Sequence, residues 1–304
     1  MSKFLIWIVI SIASLLSGCK PNLTKGEILE KYTDGQSKFI EVRNNRVHYK
    51  DQGQGEILLL IHGTASSLHT WDMWSQAFAD HFRVIRMDLP GFGLTGPDVS
   101  HSYEIEDDVA FISEFLEKLG VSQAHLIGSS LGGRIAWEYS LEYPNQVKSL
   151  TLINALGYKQ ESWPPAIQLA MLPGMETLMP KLSSRFVYSQ SLKDIYFDHG
   201  LIDDDTIDRY YELSLYPGNA EAFPKRVKAK LDDQEQRITQ IAAPTLILWG
   251  AEDRYFPVKN AYRFHEDIKQ SQLKIYENVS HLPMEEVPEQ SLNDVIQFII
   301  STVQ

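Results

Sequence analysis

Ala124-His125-Leu126-Ile127-Gly128-Ser129-Ser130-Leu131-Gly132-Gly133 decides how this chain is read. Residues 124–127 read as a short buried strand, and residues 131–143 carry a helical pattern stopped by Pro144. Ser130 is the centre of a G-x-S-x-G pentapeptide that falls on the turn between them. Glycine on either side lets two backbones approach where a Cβ would clash. Such a turn lifts the Ser130 hydroxyl above the sheet edge and leaves the Leu131 N–H at a helix N-terminus, able to face an oxyanion. The pentapeptide alone recurs by chance; on a strand–turn–helix it marks a nucleophile.

Working outward, residues 39–43 and 46–50 flank Asn44-Asn45, which predicts a hairpin. Ile57–Ile61 is a continuous apolar run, as expected of a strand covered on both faces, and residues 82–87, 150–153, 244–249 and 273–276 are similar. Helical patterns lie at 103–119, 258–267 and 290–303. Strand–helix alternation behind two antiparallel strands predicts an α/β protein with an open, mostly parallel sheet flanked by helices. Between residues 153 and 244 no strand is legible. The segment holds helical fragments, Trp163-Pro164-Pro165 and many aromatics. A structureless loop of that length is improbable in a compact domain, so a helical cap is expected.

His62-Gly63-Thr64 follows the apolar run 57–61, and Asp88-Leu89-Pro90-Gly91-Phe92-Gly93 matches D-x-P-G-x-G. Trp249-Gly250-Ala251-Glu252-Asp253 follows a late strand, and His281 opens an H-x-P-x-x-E-x-P-E run ending at Glu289. Together with the Ser130 pentapeptide these segments resemble the α/β-hydrolase superfamily, in its cap-bearing serine hydrolase branch. The resemblance covers nearly all of residues 39–303. It implies an eight-stranded, mostly parallel sheet with a helical cap insertion. It also implies a Ser130-Asp253-His281 triad, and an oxyanion hole from the N–H groups of Thr64 and Leu131. His62 then reads as a structural residue. Asp88 precedes the serine, whereas this fold takes its acid after it. Glu252 is a rival for the acid, and Asn154, at the alternative acid position, cannot carry the charge.

The chain has 304 residues, 28 Lys+Arg against 40 Asp+Glu, and one cysteine. A net charge of -12 argues against nucleic acid as a partner. A single cysteine excludes a disulfide framework and any multi-cysteine metal site within the chain. No His/Asp/Glu set has metal-ligand spacing and no cofactor is implied. Asp203-Asp204-Asp205 reads as a helix start.

The N-terminus is read separately. Ser2-Lys3 precedes an apolar run at 4–16, too short to span a bilayer and fitting a signal peptide. Leu16-Ser17-Gly18-Cys19 resembles the bacterial lipoprotein box, which implies cleavage before Cys19 and lipid on it. The expected organisation is a signal peptide at 1–18, a lipidated tether at 19–38 with at most a short helix near 27–32, core at 39–155, cap at 156–240 and core again at 241–304. The location implied is the bacterial cell envelope, with the membrane as partner.

The activity expected is hydrolysis of small-molecule carboxylic esters through an acyl-enzyme. Carbon–carbon hydrolysis of ring-fission products is the alternative. It would want a cation near the substrate carboxylate, for which Arg134 and Arg185 are the candidates. Aminopeptidase activity and a non-catalytic, ligand-binding lipoprotein are further readings.

Overall fold

The computed structural model describes residues 23–160, 163–229 and 234–303. The signal peptide and Cys19 fall outside the described residues. The chain begins with α1 (Lys25–Tyr32), then the hairpin β1 (Ser37–Val42) and β2 (Asn45–Gln52), followed by β3 (Ile57–Ile61), α2 (Asp72–Phe78) and β4 (Arg83–Met87). Next come α3 (Ile105–Lys118), β5 (Ala124–Ser129), α4 (Leu131–Glu142) and β6 (Val147–Ile153). Five helices follow: α5 (Pro165–Ala170), α6 (Met175–Leu182), α7 (Arg185–Ile195), α8 (Asp204–Ser214) and α9 (Asn219–Lys228). The chain returns to the sheet with β7 (Thr245–Gly250), α10 (Lys259–Asp267), β8 (Ser271–Tyr276), α11 (Pro283–Glu286) and α12 (Pro288–Val303).

The strands form one eight-stranded sheet in the order β1-β2-β4-β3-β5-β6-β7-β8. β1–β2 and β2–β4 pair antiparallel; every other pair is parallel. This is the α/β-hydrolase fold expected from the motifs. Helices cover both faces, so the central strands are apolar on both sides. Leu58 and Leu60 join the cluster under Trp71, Trp74 and Phe298; Leu59 and Ile61 join the one holding Trp137 and Trp249. Alternate residues of one strand thus feed opposite layers.

Three expectations shift. The hairpin turn is Arg43-Asn44, not Asn44-Asn45: both turn residues have positive φ (48° and 63°), and Val42 pairs with Asn45. Asn45 is drawn into the sheet because its side chain donates to Arg43 O at 3.2 Å and Asp98 Oδ2 at 3.0 Å. Helix α3 starts at Ile105 rather than 103, with three acidic residues in its first turn. The third shift concerns the tether. The short helix expected near residues 27–32 is there as α1, closed by a Thr24–Glu27 capping box, but it is not held free: it docks on the cap and the loop at Leu94. Ile28 and Tyr32 are buried with Leu94, Leu213 and Tyr216, and Tyr32 Oη donates to Glu212 at 2.7 Å. A docked amphipathic helix buries apolar surface that a tether would leave in water.

Candidate active site

Ser130 sits between β5 and α4 with φ 55° and ψ -116°, a backbone that side chains rarely adopt. The turn is held from several sides. Ser130 N–H donates to Ile153 O at 3.0 Å, and Ser130 O accepts from Leu156 N at 3.1 Å. The glycines are required by packing: a Cβ on Gly128 would lie 2.2 Å from Gly132 O, and one on Gly132 would lie 2.1 Å from Ile61 O. Helix α4 can therefore start directly against the end of β3. That contact brings the Gly63-Thr64 turn beside Ser130: a Cβ built on Gly63 would fall 2.9 Å from Ser130 Cβ.

Asp253 and His281 arrive from the ends of β7 and β8. His281 Nδ1 donates to Asp253 Oδ2 at 2.9 Å, and both side chains are buried. With the proton on Nδ1, the basic nitrogen of the neutral ring is Nε2. The Asp253 carboxylate is fixed by two more donors, Asn154 Nδ2 on Oδ2 at 2.6 Å and Tyr255 N on Oδ1 at 2.7 Å. The rings of Tyr255 and Phe256 pack on the imidazole with centroids 5.3 and 5.5 Å away.

Thr64, Ser130, Leu131 and His281 all line one cavity of about 820 Å³ between the sheet and the cap. The volume is that of a typical small-molecule site. The cap wall is mostly apolar, with Leu169, Met171, Met179, Leu182 and Val187 among its side chains. Met171 and Met179 sit on either side of the Pro173-Gly174 break and contribute to this wall, while Met175 is buried in cap packing.

The residues set aside in the sequence also have places. His62 is fully buried; its Nδ1 meets Gly63 O at 2.7 Å and its Nε2 accepts from Leu89 N at 3.0 Å. Burial lowers its pKa to about 4, outweighing the attraction of Asp88, so the ring is neutral. Asp88 accepts from Leu68 N, Leu94 N and His48. Burial pushes its carboxyl up, but His48, His62 and the backbone donors prevail and hold it near 2. It ties loops together below the site. Asp203 caps α8 through Thr206 N. Arg134 pairs with Glu138 at 2.7 Å, and Arg185 pairs with Asp204 and Asp208; neither lines the cavity.

The sequence does not announce several contacts at the site. Asn154, with φ 42°, stands at the alternative acid position without a charge, yet it donates to Asp253 and accepts from Gly250 N at 3.2 Å, and so clamps Asp253 to the β7 end. Glu285 accepts from Thr70 Oγ1, Tyr196 Oη and Arg209 Nη2, each at 2.5 Å, and from Tyr210 Oη at 3.0 Å. His281 N–H itself donates to Ile195 O, the last residue of α7, at 3.0 Å. The His281 loop is thus stitched to the cap, a long-range arrangement that no local pattern announces.

Comparison with known proteins agrees with this geometry. Residues 56–288 match the sequence profile of the alpha/beta hydrolase fold. The chain belongs to the α/β-hydrolase family. Among relatives of this hydrolase, an uncharacterized hydrolase, YugF, of Bacillus subtilis is 28% identical over 267 residues, 88% of this chain and 95% of the relative. The 2-hydroxy-6-oxo-2,4-heptadienoate hydrolase of Pseudomonas putida is 29% identical over 241 residues, covering 76% of this chain and 84% of that protein. In three dimensions a meta-cleavage product hydrolase from Pseudomonas fluorescens superposes with a TM-score of 0.76 at 25% identity, covering 87% of this hydrolase and 97% of that chain.

Proposed function

We propose that this α/β hydrolase is a serine hydrolase whose nucleophile is Ser130, and that its substrates are carboxylic esters of small to medium apolar acids. The observation that carries the reading is the convergence of Ser130 and an Asp253-linked His281 on one mostly apolar cavity. In this reading His281 takes the Ser130 proton as the oxygen attacks the ester carbonyl carbon. The N–H groups of Thr64 and Leu131 receive the developing oxyanion. Asp253, held by Asn154 and Tyr255, orients the imidazole and stabilises its cation. The imidazolium then gives its proton to the leaving alcohol, and water activated by the same base releases the acid from Ser130. The cap excludes bulk water and shapes the acyl site.

The test is hydrolysis of a p-nitrophenyl ester series, from acetate to long chain, by the wild type and Ser130→Ala. Ser130-dependent turnover supports the reading, and the chain-length profile sizes the cavity. No turnover, with fluorophosphonate labelling of Ser130 intact, points to the second reading. Loss of both would leave a ligand-binding protein.

That second reading is carbon–carbon hydrolysis of a vinylogous diketo acid, favoured by the named activities of the Pseudomonas relatives. Two cations line the cavity and bear on it. Arg226 pairs with buried Asp108 at 2.8 Å through Nη1, and its Nε and Nη2 have no hydrogen-bond partner among the described residues; the other cation is the exposed Lys181. Assay of a 2-hydroxy-6-oxo dienoate chromophore beside the esters separates the two.

The proposal extends to the N-terminus: lipid on Cys19 tethers the hydrolase to a membrane of the bacterial cell envelope. Mass spectrometry of the mature protein, with Cys19→Ser as control, tests it; an unmodified cysteine in the wild type would sink it.

A further inference from the structure

Eleven large apolar side chains are exposed among the described residues, and seven of them lie in the cap segment 163–229. Five are Leu169, Leu172, Leu178, Phe186 and Val187, on α5–α7 and their connections. Leu172 and Phe186 are more than half exposed, at 53% and 57%. Helices α5 and α6 touch, and α7 starts three residues after α6 ends. Leu169 and Val187 also line the cavity, and Leu172, Leu178 and Phe186 each adjoin a lining residue: Met171, Met179 and Val187. Leu169 and Val187, 43% and 40% exposed, thus belong both to the apolar wall of the site and to the exposed apolar surface. Large apolar side chains exposed on three consecutive helices, where those elsewhere (Met73, Val99, Tyr262, Ile300) stand on separate elements, mark an interaction face.

The route of the chain says what meets it. Helix α1 is fixed to the cap through Ile28, Tyr32 and the Lys31–Glu212 pair at 2.7 Å. Its partner α8 packs in turn on α7, with Tyr188 and Tyr211 rings 5.6 Å apart. From Cys19 to the capping residue Thr24 is five peptide steps, at most about 18 Å fully extended. A lipid on Cys19 thus holds a bilayer within about 18 Å of the start of α1, and so close to the cap.

We propose that the exposed apolar surface of α5–α7 rests on a lipid bilayer, and that the cavity takes amphiphilic, long-chain esters directly from it. The inference rests on the serine esterase reading and on the N-terminal anchor, and names the substrate class of that same site.

The test uses the full chain reconstituted in vesicles of phosphatidylethanolamine and phosphatidylglycerol. With brominated acyl chains in the vesicles, the added fluorescence of Phe186→Trp is quenched, whereas that of Met73→Trp, on core helix α2, is not. An unquenched Phe186→Trp overturns the proposal. For substrate delivery, the triple variant Leu172→Asp, Leu178→Asp, Phe186→Asp loses about tenfold or more of its turnover of vesicle-borne 4-methylumbelliferyl palmitate, but stays within about twofold on soluble 4-methylumbelliferyl acetate. No loss on either ester, or equal loss on both, overturns delivery from the membrane. Quenching of Phe186→Trp without Ser130-dependent turnover of either ester by the wild type would instead overturn the esterase reading while the docking face stands.

Discussion

On β3, Leu58, Leu59, Leu60 and Ile61 are all fully buried, whereas Leu169, Leu172, Leu178 and Phe186 of the cap are each more than two-fifths exposed. Both regions are rich in apolar residues, and the difference lies in what covers them. The parallel strands have helices on both faces, so every side chain finds a neighbour. The cap helices turn one side to the cavity and another outward. The core builds a fixed platform for Ser130, Asp253 and His281; the cap supplies an apolar wall and an apolar exterior. Stability therefore belongs mainly to the first region and selectivity to the second, a division that substitutions can break.

The largest effect is expected at the platform. Ser130→Ala should lower ester kcat by on the order of 10⁶ without loss of folding, by analogy with other serine triads. Steady-state kinetics with thermal melting of the same samples checks it. A residual rate near that of the wild type would mean that the elbow serves only as a turn.

Next comes the packing contrast itself. Leu60→Ala removes a fully buried side chain from the centre of the sheet and should destabilise by about 2–5 kcal/mol. Leu178→Ala, on the cap exterior, should stay within about 0.5 kcal/mol. Denaturant unfolding of both measures the difference. Equal losses would show that the cap is packed as tightly as the sheet, which would contradict its exposure.

A pH experiment sharpens the core half. The folded-state pKa of His62 is lowered to about 4 by burial, against 6.5 for a free imidazole. The unfolded chain then binds the extra proton between those values and the folded chain does not, so stability falls as pH drops from about 6.5 towards 4. The full difference corresponds to about 3 kcal/mol. Melting curves of the wild type and His62→Asn across that window test it, the variant being expected to show the shallower slope.

These contrasts also explain what could be read from the residues alone. Strands such as Ile57–Ile61 were legible because burial on both faces leaves an unbroken apolar run, and Ser130 was legible because the elbow requires glycine at fixed offsets. Thr64, Leu131, Asp253 and His281 were found as motif positions at strand ends, and the structure does bring them to one place. The contacts of Asn154, Glu285 and Arg209 are not legible in the sequence because their partners lie 75 to 215 residues away. No local pattern encodes a pairing of that range. The hairpin slipped by one residue in part for the same reason, since Asn45 answers to distant Asp98 as well as to its neighbour Arg43. The segment before β1 reads as a tether with a short helix because its apolar residues are few, and what they bury against, Leu94, Leu213 and Tyr216, lies far along the chain.

That docked helix supports the smallest prediction, on the seam between the chain's start and the cap. Thr24 accepts from Glu27 N at 3.3 Å, and Glu27 reaches back to Thr24 N at 2.7 Å. A helix of eight residues depends heavily on such a box, because it has few internal hydrogen bonds. Thr24→Ala should weaken α1 by about 1 kcal/mol. Because α1 meets the sheet at the partly buried Phe39 of edge strand β1, away from its centre, global melting should move little, while amide exchange across residues 25–32 should accelerate by about fivefold. Exchange measured by mass spectrometry separates the outcomes. Acceleration confined to α1 makes it a strap that opens on its own, so the cap can shift relative to the residues that precede it. Acceleration that spreads into α8 would instead join strap and cap into one unit, and place the mobile seam between the cap and the sheet.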